Sequence, residues 1–249
     1  MRPAFSSGSV WLLSCALALG SASACGASRV SLGNTEHAFT AGDYGSTYDR
    51  WTRSADDFDI GQLTEVLHVT ATFESHEFRW AYVVRYASDH SMTTEERTRT
   101  LEHSLNEAGQ RHRFFVTIGA PIFREADLGD ERSDWRVLLV DANGHQSEPV
   151  EVLRIPRPSR DMRAYFPSIH RQRHTFRIAF PAMDSEGAPT IAEGSDHVIL
   201  RFAGASGTVN LQWDLTPPSS ERTITTQAVS RVGWQGSFAS KSEPAANQD

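Results

Sequence analysis

Apolar and polar residues alternate in short runs over most of the chain, and each run ends at turn-forming residues. Phe78, Trp80, Tyr82, Val84 and Tyr86 share one phase, with Arg79, Ala81, Val83 and Arg85 on the other. Successive side chains of a strand point to opposite faces, so this alternation predicts a half-buried strand over 78–86. Residues 63–73 read the same way and are rich in β-branched side chains (Val66, Val69, Thr70, Thr72). Phe114, Val116 and Ile118 mark another strand, as do Phe176, Ile178 and Phe180, and then Val198, Leu200 and Phe202. The cleanest stripe comes last: Val209, Leu211, Trp213 and Leu215 point inward, and Thr208, Asn210, Gln212 and Asp214 outward. It pairs with the preceding strand across residues 204–207 as a hairpin. Runs 135–140 and 150–155 flank Asp141-Ala142-Asn143-Gly144, where Asn-Gly supplies the positive φ of a hairpin turn.

One segment breaks the alternation. Thr93 followed by Glu96 has the spacing of a capping box, no Gly or Pro interrupts the run to Ala108, and Gly109 is placed to end it. Only Leu101, Leu105 and Ala108 line its apolar stripe, so this helix is expected to cover a surface. Seven or eight short strands with one surface α-helix inserted predict a mostly all-β fold, an antiparallel β-sandwich. The 135–155 hairpin resembles the closing hairpin of immunoglobulin-like and fibronectin-like modules, which implies that type of sandwich. The expected organisation is a signal peptide (1–24), a lipid anchor and flexible tether (25–45), the β-sandwich (46–215) and a flexible tail (216–249). Pro156-Arg157-Pro158 opens a candidate sub-boundary at 156–164. One body is favoured over two, because the strands after it are too few to bury both faces alone.

Composition narrows the class. Both cysteines, Cys15 and Cys25, lie in the first 25 residues, so no disulfide staples the body. The net charge is −7, and removal of Arg2 with the leader takes it to −8. An acidic chain repels phosphate backbones, so nucleic acid is not expected as a partner. Arg2, an apolar stretch over 10–19 and the small residues Gly20 to Ala24 follow the order of a secretory signal, and the apolar stretch is too short to span a bilayer. Ala22-Ser23-Ala24-Cys25 resembles the lipobox of bacterial lipoproteins, with Ala22 where that family most often has Leu. A rival at Leu12-Leu13-Ser14-Cys15 has too few apolar residues before it. The resemblance covers only this leader. It implies diacylglycerol on Cys25, and Gly26 in place of Asp implies sorting to the outer membrane.

Candidate chemistry is sparse. His76-Glu77 begins a zinc-protease motif, but Trp80 stands where the second His belongs. His170 and His174 are four apart, yet they run from Pro167 into a strand, where that spacing does not converge on a metal. Ser195-Asp196-His197 places three triad residue types side by side, whereas a triad needs convergence from different elements. Asp127, Asp130, Glu131 and Asp134 form an acidic loop and are weak calcium candidates, with Arg124 and Arg132 competing for the same charge. Asp56, Asp57 and Asp59 read as an exposed loop. No cofactor and no catalytic residue is expected. Two classes of function stand: a non-catalytic envelope module that binds a protein or glycan, which is favoured, and an envelope-acting hydrolase with a loop-borne site. The leader makes one direct prediction. A fatty-acid analogue should label the wild type, Cys15→Ser should keep the label, and Cys25→Ser should lose it. A mature N-terminus elsewhere by mass spectrometry would remove the anchor.

Overall fold

The computed structural model describes residues 28–59, 64–130 and 133–216. The leader, Cys25, Glu131 and the tail from residue 217 lie outside them. The elements run α1 (Tyr44–Trp51), β1 (Thr52–Asp59), β2 (Thr64–Phe73), α2 (His76–Asp89), α3 (Thr94–Gln110), β3 (Arg111–Gly119), β4 (Trp135–Asp141), β5 (Gln146–Ser147), β6 (Glu151–Arg154), α4 (Arg160–Tyr165), β7 (His174–Pro181), β8 (His197–Gly204) and β9 (Gly207–Asp214). The strands make two antiparallel sheets, ordered β1-β2-β3-β7-β6 and β5-β4-β8-β9. The fold is mostly β, with β7 joining β3 and β6 across residues 156–164 and β8 joining β4. Among the described residues no helix is long and apolar enough to cross a membrane.

The stripes on β2, β3, β7, β8 and β9 build the core between the sheets. Phe73, Phe114, Ile178, Leu200, Leu211 and Trp213 are all at most 1% exposed. Trp213 of the smaller sheet lies 6.0 Å from the Phe73 ring and 5.4 Å from the Phe114 ring of the larger one. Its indole Nε1 donates to the Trp51 carbonyl at 2.9 Å. The 204–207 hairpin forms as expected, with Gly204 opposite Gly207. A Cβ on Gly207 would lie 1.7 Å from the Asp57 carboxylate, so only glycine lets β9 approach β1 this closely.

Several expectations are corrected. Residues 78–86 form no strand but the middle of α2. Phe78, Tyr82 and Tyr86 are four apart, so the same rings satisfy a helical stripe as well as an alternating one. Ser75 decides between them: its hydroxyl caps α2 by accepting from the Phe78 N–H at 3.2 Å. The one inserted helix becomes a helical layer. The capped helix α3 is present, with reciprocal Thr93–Glu96 bonds of 3.2 and 2.8 Å, and buries no residue; it packs against α2 and ties to β3 through Glu107 and Arg113.

The 135–155 hairpin divides. Gly144 adopts φ +82° in the predicted turn, but β4 gains only the two residues of β5. Pro149, lacking an N–H, follows, and the chain crosses to pair β6 with β7 in the other sheet. Asp56 and Asp57 belong to β1, where Asp56 pairs with His68. Residues 30–45 are no free tether. Val30 is 2% exposed, bonds to Asp214 O and Thr216 N, and Tyr44 donates to Tyr165 O at 2.6 Å.

The central strands β2, β3 and β7 of the larger sheet are buried on both faces. On the outer one, Phe166 stacks on Phe115 at 3.8 Å and meets Tyr48, Phe78 and Tyr82. Burial there raises the Tyr82 hydroxyl to about 12. Trp213→Ala removes the contact between sheets and orphans the Trp51 carbonyl, an expected loss of about 3–5 kcal/mol. Gln212→Ala, exposed on the opposite face, should melt like wild type; equal melting of both variants in denaturant titrations would refute this packing.

Candidate functional site

The region most unlike the rest of the chain lies where β6 ends and β7 begins. After Arg154 the chain bends at Pro156 and Arg157 and passes Pro158 to Ser159, whose hydroxyl caps α4 by accepting from Met162 N at 3.1 Å. Tyr165 and Phe166 turn inward onto the aromatic layer, so Arg163 on α4 stays outside. Residues 167–173 then loop back to β7. The result is a cleft of about 490 Å³ lined by Arg154, Arg163, His170, Arg171, Arg173 and His174. His170 and Arg173 also wall a neighbouring hollow of about 650 Å³ beside His68 and Pro121. No Asp or Glu lines either hollow among the described residues.

One corner of the cleft is fixed. Arg154 Nη1 pairs with Asp127 Oδ2 at 2.6 Å, and Arg154 Nη2 donates to His174 Nδ1 at 3.1 Å. His174 Nε2 in turn donates to the Phe123 carbonyl at 2.7 Å, and the Phe123 ring stacks on the imidazole at 3.7 Å. Both ring nitrogens are thus engaged, with the proton on Nε2. The other three arginines differ. Among the described residues, the guanidinium groups of Arg163, Arg171 and Arg173 make no hydrogen bond and no ion pair. A guanidinium stays charged at any physiological pH, and its planar fork fits carboxylate, phosphate or sulfate. The cleft therefore presents fixed positive charge in a chain of net charge −7.

The residues singled out from sequence do not come together. Asp127 turns inward, spending one oxygen on Arg154 and the other on Gly129 N at 3.1 Å. Asp134 is exposed, and Asp130 packs its backbone into the turn with Asp127 and Ser133. Among the described residues no group of three or more metal-ligating side chains converges. Glu77 accepts from Trp51 Nε1 at 2.9 Å and pairs with Arg50, which makes it a tie between α1 and α2. His76 is held below its usual pKa by burial and by His37 nearby. His197 bonds its neighbour Asp196 at 2.6 Å, while the buried Ser195 hydroxyl has no hydrogen-bond partner among the described residues.

A second polar cluster sits under α2. Arg79 donates to Glu74 O, Ser104 O and Glu107 Oε2 at 2.9–3.1 Å, and Glu74 also binds Arg177 at 3.1 Å. Burial lowers the Arg79 pKa and Glu74 opposes that. These charges answer one another and clamp α2 and α3 to the larger sheet.

The arginine cleft was missed in the sequence, although a signal existed. Arg154, Arg157, Arg160, Arg163, Arg171 and Arg173 stand in twenty residues with Asp161 as the one carboxylate among them. The acidic balance of the whole chain masks this local excess. Because Asp127 is committed to Arg154, chelation should leave the melting midpoint of the chain unchanged. A loss of several degrees in chelator, restored by calcium, would instead reveal an occupied carboxylate site. The chain matches no protein-family model, no curated protein and no solved structure, so its own residues carry the functional reading.

Proposed function

We propose that this chain is a cell-envelope lipoprotein whose folded body is a non-catalytic β-sandwich module, and that it captures an anionic group of a protein or glycan partner in the arginine cleft. The observation that carries the reading is the set of three guanidinium groups around one concave surface that are unpaired among the described residues. Cations left without partners cost little in water and strengthen association with an anion that arrives from outside. The leader supports the address: lipid on Cys25 and, through Gly26, the outer membrane. Docking of Val30 supports a close placement, since five residues from Cys25 reach at most about 17 Å when fully extended. The immunoglobulin- or fibronectin-like type enters this reading only through strand number and antiparallel pairing, because the 135–155 hairpin is split between sheets.

The test uses the lipidated chain in detergent, passed over immobilised poly-glutamate and polygalacturonate at low salt. Retention is expected on at least one of the two. The double variant Arg171→Ser/Arg173→Ser should elute at lower salt with an unchanged melting curve. Asp127→Asn keeps the oxygen that accepts from Gly129 but frees the charge of Arg154, so it should elute at higher salt. Passage of the wild type through both columns, or identical elution of all three chains, would refute the reading.

A further inference from the structure

The strand that leads into the cleft is itself unpartnered on one side. β6 ends the larger sheet and pairs only with β7. The paired stretch is longer than its four residues, since Val150 N donates to Ala179 O and Ile155 N to Thr175 O, both at 2.8 Å. Prolines flank the stretch at 149 and 156, but none lies within it. Val150 and Leu153 are 57% and 50% exposed, among the most exposed large apolar residues of the described chain. Two of the other edges are closed against each other. β1 and β9 meet through Arg53 Nε on Gln212 O at 3.0 Å and through Asp57 against Gly207. β5 has only two residues to offer.

An exposed edge presents a row of amide donors and acceptors that a second extended chain can satisfy, and natural folds usually blunt such edges with charge or proline. Here the prolines stand only at the ends, and the charges of Glu151 and Arg154 are taken up by Arg111 and Asp127, while Val150 and Leu153 stay exposed; the end of the edge opens into the cleft through Arg154, Ile155 and Pro156. We infer that the partner is a protein segment, acidic and extended, which adds to β6 as a further antiparallel strand and places its carboxylates among Arg163, Arg171 and Arg173. The inference rests on the anionic reading of the cleft and deepens it. Two features select a peptide over a glycan: β6 offers backbone groups in strand register, and it exposes apolar Val150 and Leu153, three apart and so on opposite faces, beside Glu151 and Arg154, whose charges are already paired with Arg111 and Asp127. Antiparallel addition sets direction. β6 runs toward the cleft, so the acidic residues lie at the N-terminal end of the bound segment and apolar residues follow, beside Leu153 and Val150.

The probe is a short acetylated peptide with a run of glutamates followed by alternating valine and threonine, titrated against the full lipidated chain in detergent. Two further peptides carry N-methyl groups on one or the other alternating set of backbone amides, so the protein itself is unaltered. One methylated set should bind at least about tenfold more weakly and the other like the parent, because alternate amides of a strand face opposite edges. Arg171→Ser/Arg173→Ser should weaken the parent peptide as well. Equal binding by both methylated peptides would overturn strand addition. So would retention of the chain on polygalacturonate or poly-glutamate through Arg171 and Arg173 with no binding of the parent peptide; the cleft reading would then stand. If the double arginine variant binds every probe like wild type, both readings fall. A dimer in light scattering whose β6 amides are protected from exchange only in the dimer would assign the edge to a second copy and overturn the acidic partner.

Discussion

The seating of Trp213 is the contact on which the arrangement of the two sheets depends. Its ring is fully buried between Phe73 and Phe114, so the smaller sheet is held to the larger one through the largest apolar side chain available. The indole N–H cannot be buried without an acceptor, and the Trp51 carbonyl at the end of α1 supplies it. One side chain thereby fixes three things: the spacing of the sheets, the register of β9 and the turn from α1 into β1. Arg53 lies over the outer side of the same ring, 5.9 Å from its centre, and reaches the β9 backbone. Gly207 belongs to the same arrangement, since any side chain there would push β9 away from Asp57.

Burial of the central strands of the larger sheet on both faces has a physical consequence. Their outer face carries Thr70, Thr72, Thr117 and Thr175, all at most 6% exposed. Hydroxyls taken out of water need partners. Thr72 finds Thr52 and Thr70 finds Ser54, both at 2.8 Å across the β1–β2 pair, whereas the buried Thr117 hydroxyl has no partner among the described residues. Cover comes from rings on α1, α2 and the residues after α4, gathered around Phe166. At the rim of this layer Arg79 links α2 to α3 and to Glu74 after β2 through Nε and Nη1, and Glu74 carries the link on to β7 through Arg177. A pair of buried charges adds little net stability against its desolvation, but it is strongly directional, and it fixes which way the helical pair lies on the sheet.

The same geometry creates the cleft. Phe166 is drawn into the aromatic layer, and the chain before and after it has to leave the sheet and return. That excursion carries most of the arginines of the region to one surface. Asp127 and His174 absorb the charge of Arg154 and turn it into a structural tie. Arg163, Arg171 and Arg173 are left facing solvent. Beside them β6 ends the sheet because Pro149 detaches it from β4 and returns it to β7. A charged concavity and an open strand edge thus meet as a consequence of where one proline and one phenylalanine lie.

Period-two stripes were legible wherever a strand buries one face cleanly: β2, β3, β7, β8 and β9 follow from the spacing of their apolar residues. The cap on α3 was equally plain, because Thr93 and Glu96 satisfy each other within a single turn. Local pattern failed where one spacing serves two structures. Rings at 78, 82 and 86 suit a strand and a helix alike, and only the Ser75 cap and the aromatic layer above the sheet select the helix. Strand β1 was hidden because its carboxylates read as solvent-facing until β9 and His68 come to meet them. Which sheet a strand joins was likewise not in the sequence. The turn at Gly144 was, but its continuation depends on Pro149 and on β8 occupying the other side of β4. For the candidate site, the run of arginines from 154 to 173 was present in the linear chain. Their freedom was not: whether a guanidinium is paired depends on residues far away in sequence, and Asp127 reaches Arg154 only after folding.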